Sequence, residues 1–200
     1  MRIATNTLTR TKLIARGASE VLLIFLTLAG LFSGTNRLPA EEPAEPKESQ
    51  IKAAFVFNFT KFVEWPAARF AAADSPIIIG VFGKSPVAQQ LPDAIKDRKV
   101  NGRGIVFKPI EKIEDTKSVH LLFVPASADS EVVELLKVMK GTSVLTIGES
   151  EVFAKAGGMI NFVREGDKVR FEINTDSAEQ AGLKISAQLQ KLAKSVRRKS

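Results

Sequence analysis

Cysteine and tyrosine are absent from this chain of 200 residues, and histidine and tryptophan occur once each. Without cysteine there is no disulfide, no thiol nucleophile and no thiolate metal site. With one histidine, nucleophilic triads and most transition-metal sites lack parts. The missing thiols do not fix the compartment, because a domain of this size folds without cross-links. A large surplus of one charge over the body of the chain is missing too. The formal charge is +7, of which residues 1–40 hold +4 and residues 41–200 only +3. Five of the later basic residues, Lys191, Lys194, Arg197, Arg198 and Lys199, crowd the C-terminal end. A near-neutral body argues against a nucleic-acid footprint, and cations at a helix end complement its dipole.

The N-terminal apolar run, Val21 to Phe32, is only twelve residues long and follows a basic segment. At 1.5 Å per residue it spans about 18 Å, short of a roughly 30 Å hydrocarbon core. A basic region, an apolar run and then small or turn-forming residues (Ser33-Gly34-Thr35, Leu38-Pro39-Ala40) follow the layout of a secretory signal. An uncleaved anchor lengthened by Leu13 and Ile14 is the alternative; either delivers the rest of the chain across a membrane, to the periplasm. Residues 1–40 are thus read as a signal peptide and 41–48 (EEPAEPKE) as a charged linker. Residues 49–196 are the folded domain and 197–200 a basic tail.

Hydrophobic residues make up 44% of the chain, enough for one domain with a core. From Ser49 to Trp65, Ile51, Phe55, Phe59 and Phe62 recur at helical spacing, and Pro66 disfavours a further turn. Ile77–Phe82, Ile105–Phe107, Val119–Val124 and Val144–Ile147 read as strands, the first a β-branched run suited to burial on both faces. Helical patterns lie between them at Val87–Lys96, broken or restarted at Pro92, and at Ser130–Lys140. Asn101-Gly102 marks a turn. Met159–Val163 and Val169–Ile173 flank Gly166-Asp167 and form a hairpin. A long final helix is expected from Asp176 to Val196, with Ile185, Leu189, Leu192 and Val196 as its stripe. The fold class is α/β: a single domain whose mixed, mostly parallel sheet is flanked by helices, with that antiparallel hairpin and long helix at its end.

The search for chemistry yields no active site. Gly80–Ser85 (GVFGKS) ends in Gly-Lys-Ser after a strand, but its glycines sit three residues apart where a phosphate loop needs five. His120 lies in the VHLLFV strand and reads as a hydrogen-bonded core residue. Glu149 and Glu151 read as solvated loop acids, and Gly157-Gly158 as a tight turn. No catalytic residue, metal site or cofactor is implied. Two groups remain as candidate partner-binding residues. Phe57 falls off the apolar stripe beside Lys61 and Glu64; it is either covered by another element or an exposed anchor. Arg170 and Glu172 share a strand face with Asn161 nearby across the hairpin. They form either an exposed ion pair or a docking surface.

Three stretches, taken in order, resemble the YfiR-like family. They are Ile51–Pro66 (IKAAFVFNFTKFVEWP), Gly157–Asn174 (GGMINFVREGDKVRFEIN) and Ala178–Ala193 (AEQAGLKISAQLQKLA), with Val144–Gly148 (VLTIG) as a weaker fourth. The resemblance implies a periplasmic, generally dimeric repressor. Such proteins bind the periplasmic part of a membrane receptor, typically a diguanylate cyclase, and hold it inactive. Release through a lipoprotein or a redox change raises cyclic di-GMP and favours biofilm. This chain departs from the pattern in having no redox cysteine and in carrying Phe57 where many relatives have tyrosine. The alternative function is a periplasmic small-ligand receptor, with a pocket built from the loops after Phe82, Val124 and Ile147.

Overall fold

The computed structural model describes residues 44–198. The expected N-terminal signal, with its cleavage site, lies outside them, as do the last two residues of the basic tail. Among the described residues no helix is long and apolar enough to cross a membrane.

The described residues open with α1 (Ala44–Phe59) and a short strand β1 (Val63–Glu64). They continue through β2 (Ile77–Phe82), α2 (Pro86–Ile95), β3 (Lys99–Val100), β4 (Arg103–Ile110) and β5 (Leu121–Val124). Then come α3 (Val132–Met139), β6 (Leu145–Gly148), α4 (Glu151–Lys155), β7 (Ile160–Glu165) and β8 (Lys168–Asn174). The end is α5 (Thr175–Gln180), β9 (Lys184–Ile185), α6 (Ala187–Leu192) and β10 (Ser195–Arg197). Eight strands form one sheet in the order β10-β8-β7-β6-β5-β2-β4-β3, while β1 and β9 form a separate antiparallel pair. The centre of the sheet, from β7 through β6, β5 and β2 to β4, is parallel; β7–β8 and β3–β4 are antiparallel.

Strand alternation divides the interior into two apolar layers. Ile77, Ile79, Val81, Leu121, Phe123, Leu145 and Ile147 face one layer, which α1 and α2 cover. Phe82, Leu122 and Val124 face the other, under α3 and Phe153 of α4. Asn101 (φ 51°) and Gly102 (φ 81°) take the two left-handed positions of the turn between β3 and β4, as their sequence signals. Pro92 sits inside α2 without breaking it, at the cost of the one helical bond its missing N–H would make.

Three expectations are corrected. First, α1 begins at Ala44, inside the stretch read as linker, and ends at Phe59 rather than Trp65. Thr60 donates its hydroxyl to the Phe57 carbonyl at 2.6 Å, and the chain then straightens so that Val63 pairs with Ile185. Second, the buried stripe of α1 runs through Ser49, Ala53, Val56 and Phe57 toward Thr60 just past its end, with Phe59 beside it, while Ile51 is exposed. The helix is gripped from two sides, by α2 and by the hairpin, so its covered arc is turned from the one that the phenylalanine spacing suggests. Third, the long final helix does not exist. Gly182 adopts φ 72°, its N–H bonds the Glu179 carbonyl and the Leu183 N–H bonds the Ala178 carbonyl, each at 2.9 Å. This is a helix-terminating motif that a left-handed glycine permits. The remainder becomes β9, α6 and β10, the last pairing parallel to β8.

Candidate functional site

The first candidate group does not form an exposed helix face. Phe57 is 3% exposed and belongs to the core, so it is no anchor for a partner. The Lys61 ammonium lies 4.5 Å and the Arg98 guanidinium 4.8 Å from the centre of its ring, covering it with cations. Because α1 stops at Phe59, Lys61 lies in the turn and Glu64 on β1 opposite Lys184. Both are exposed, but they share no helix face with Phe57.

The second group is assembled. In the β7–β8 register Asn161 lies opposite Glu172, and Val163 opposite Arg170, so all four point to one face. β10 extends that face, placing Ser195 beside Glu172 and Arg197 beside Asn174. Arg170 pairs with Glu165 at 3.8 Å, which also takes Lys194 at 3.8 Å. Asn161 is 8% exposed, and neither its Oδ1 nor the Arg170 Nε has a hydrogen-bond partner among the described residues. A cavity of about 40 Å³ beside Asn161, Glu172, Ser195 and Arg197 is large enough for a water that would satisfy the amide. The surface is a polar sheet face, partly roofed by α4 and open toward the edge strand.

A third cluster was hidden from sequence reasoning. Lys52 on α1 reaches Glu48 and, from the loop after β6, Glu149, both at 2.6 Å. Arg164 stands 3.5 Å from Glu48. The Ala126 N–H, after β5, donates to Glu149 at 3.2 Å. The side chains of Lys52 and Glu149 are 14% and 18% exposed, so Glu149 is not the solvated acid expected of it. Burial alone would lower the Lys52 pKa, but its bonds to Glu149 and Glu48 outweigh that and hold it above the ordinary lysine value. The Lys52 hydrogen bond in turn holds Glu48 below the usual carboxylate range. Clefts of about 270 and 250 Å³ flank the bridge. The Glu48–Lys52 spacing is legible as i,i+4; Glu149, 97 residues away, is not.

A model of the YfiR/HmsC-like family matches residues 49–194. The chain belongs to the YfiR/HmsC-like family. Among solved structures it is similar to a conserved domain protein from Vibrio cholerae O1 biovar eltor str. N16961, with 13% identity, a TM-score of 0.47 and coverage of 74% of this chain and 60% of that one. It is also similar to an ABC domain in complex with L-Trp from Streptococcus pneumonia, with 12% identity, a TM-score of 0.48 and coverage of 72% and 60%. The chain thus spans 60% of the length of each of these two. No curated protein matches.

In this YfiR/HmsC-like domain, several residues that carry the family likeness hold the fold together. Trp65 donates its indole N–H to the His120 carbonyl at 3.0 Å, tying the segment after α1 to the start of β5. Asn174, which closes Phe-x-Ile-Asn, caps α5 by accepting the Ser177 N–H at 3.2 Å. The likeness therefore locates the scaffold more firmly than any docking surface.

His120 is the buried, bonded residue expected. Its Nδ1 accepts the Ile78 N–H at 3.0 Å, Nε2 lies 3.2 Å from the Arg69 carbonyl, and its ring stacks on Phe70 at 4.6 Å. Since Nδ1 accepts, the neutral ring carries its proton on Nε2. Burial is the main cause that pushes its pKa below 6.5, and the Arg69 and Arg103 cations add to it. The unfolded chain therefore binds a proton at pH values where the folded chain does not. This stabilisation is complete above pH 6.5 and is lost as pH falls below it, at most about 1.4 kcal/mol per pH unit. Urea titrations from pH 7.0 to 5.5 should show that slope in the wild type and lose it in His120→Gln, as no other histidine is present.

Proposed function

We propose that this YfiR/HmsC-like domain is exported to the periplasm and restrains a membrane receptor, typified by a diguanylate cyclase, by binding its periplasmic part. The family match across residues 49–194 carries this reading. In physical terms the domain binds the inactive state of the receptor better than the active one and so shifts its population. The polar hairpin face of Asn161, Arg170 and Glu172, continued by β10, supports a surface suited to such docking. A chain without cysteine has no thiol of its own through which to sense redox state.

The runner-up, a small-ligand receptor, gains one observation and loses another. The loops after β2, β5 and β6 do meet at the carboxyl ends of the strands, where open α/β sheets bind ligands. The Ser127 hydroxyl there reaches the Lys84 carbonyl at 3.4 Å. That crevice, however, is occupied by the Lys52 bridge, whose charges already satisfy one another.

The test is capture from solubilised membranes with the full chain as bait. Wild type should retain a receptor, and Arg170→Glu should weaken retention by roughly tenfold or more, as charge reversal at an interface does, with melting temperature unchanged. Equal retention by both would remove the hairpin face from the interface. No retention by wild type, where a known pair is retained, would count against the regulator itself.

A further inference from the structure

We propose that a cleft at the other end of the sheet, between α3, the start of β6 and α5, binds a small amphipathic carboxylate of the medium-chain acyl kind. This goes beyond the partner-binding function and uses none of its residues. The cleft has a volume of about 490 Å³, inside the range of roughly 300–1,000 Å³ common to small-molecule sites. One wall is apolar: Val133 and Leu136 from α3, and Met159 from the segment entering β7. Val133 is 65% exposed, so a hydrocarbon tail laid over it would remove apolar surface from water.

The charged groups that line it are of one sign, beside the neutral Thr146, Ser177 and Gln180. Lys137 and Lys140 stand at the rim, and among the described residues no carboxylate lines the cleft. Glu134 is 4.0 Å from Lys137 with both side chains well exposed, a pairing of little strength. Lys140 makes no ion pair among the described residues. At the floor Thr146 is buried, and its hydroxyl oxygen accepts the Met159 N–H at 3.2 Å. A hydroxyl that accepts there still has its own proton to donate. Two ammonium groups above and a hydroxyl donor below call for an acceptor that is negatively charged. The apolar wall calls for a tail. A carboxylate with a short hydrocarbon chain meets both demands, whereas the crevice around Lys52 balances both signs internally.

Octanoate is the probe, titrated into the isotopically labelled full chain and followed by amide chemical shifts. Saturable shifts are expected at Gly141, Gly157 and Met159, with octanol binding about tenfold more weakly because it lacks the charge. The exposed double variant Lys137→Glu, Lys140→Glu should keep the fold and lose about tenfold or more in affinity; Thr146→Val should lose part of it. Equal binding of octanol, unchanged affinity in the double variant, or the same shifts from inorganic phosphate alone would each overturn the proposal. Binding only to anionic lipid vesicles, and not to free octanoate, would assign the lysines to a membrane surface instead.

Discussion

Gly158→Ala should destabilise the domain by about 3 kcal/mol or more, at the upper end of what overpacking costs, and lower its melting temperature by roughly 10 °C. A methyl group at this position would lie 1.9 Å from the Phe153 ring, and one at Gly148 would lie 2.2 Å from it. The ring is wedged between the two glycine backbones at the junction of β6, α4 and β7. It cannot swing aside: Phe153 is 1% exposed and sits in the second apolar layer with Leu122, Val124 and Leu135. Trimming the ring should therefore recover part of the loss, so that Gly158→Ala combined with Phe153→Leu is more stable than Gly158→Ala alone. Calorimetry of the three variants reads this directly. If Gly158→Ala melts within about 2 °C of wild type, a shift worth about 1 kcal/mol or less, the close approach of ring and backbone is not a constraint on this fold.

That wedge also shows what the sequence conveyed and what it concealed. Gly157-Gly158 was legible as a turn, but the reason for the second glycine lies in a side chain of another element. The parallel strands were readable because burial on both faces demands unbroken runs such as Ile77–Phe82, the C-terminal hairpin because Gly166-Asp167 carries its own turn chemistry, and the Asn101-Gly102 turn likewise, although the short strand before it was not. The ends of helices were not. Pro66 looked like the stop for α1, yet pairing of Val63 with Ile185 draws the chain out of the helix earlier; likewise Gly182 ends α5 inside a stretch with sustained helical periodicity. Of the candidate site, Asn161, Arg170 and Glu172 were found together because strand alternation is a local rule. Whether Phe57 is covered or exposed stayed open in the sequence because its cover, the layer of α2, comes from a separate segment, and the Lys52–Glu149 bridge depends on the same kind of distant contact.

Phe59→Ala should cost about 3–5 kcal/mol, the usual loss for a buried phenylalanine. Its ring centre lies 5.0 Å from Phe171 and 5.8 Å from Phe162, and Phe55 adds contacts at 5.7 and 6.0 Å. These four rings join α1 to the inward face of the hairpin whose outward face carries Arg170 and Glu172. Phe59 is almost wholly buried, whereas Phe55 is only partly so, and Phe55→Ala should cost distinctly less. Phe57→Ala, on the side of α1 that meets α2, belongs with Phe59 in magnitude, since its ring is in the core. Urea unfolding of the three variants orders them; a Phe57→Ala loss below that of Phe55→Ala would return Phe57 to the surface. The ordering also governs how binding results are read. A variant that loosens α1 loosens the support behind the hairpin, so weaker receptor capture by Phe59→Ala would report stability alone. Arg170→Glu, on the opposite face and with the four rings intact, changes the docking surface while leaving its scaffold in place.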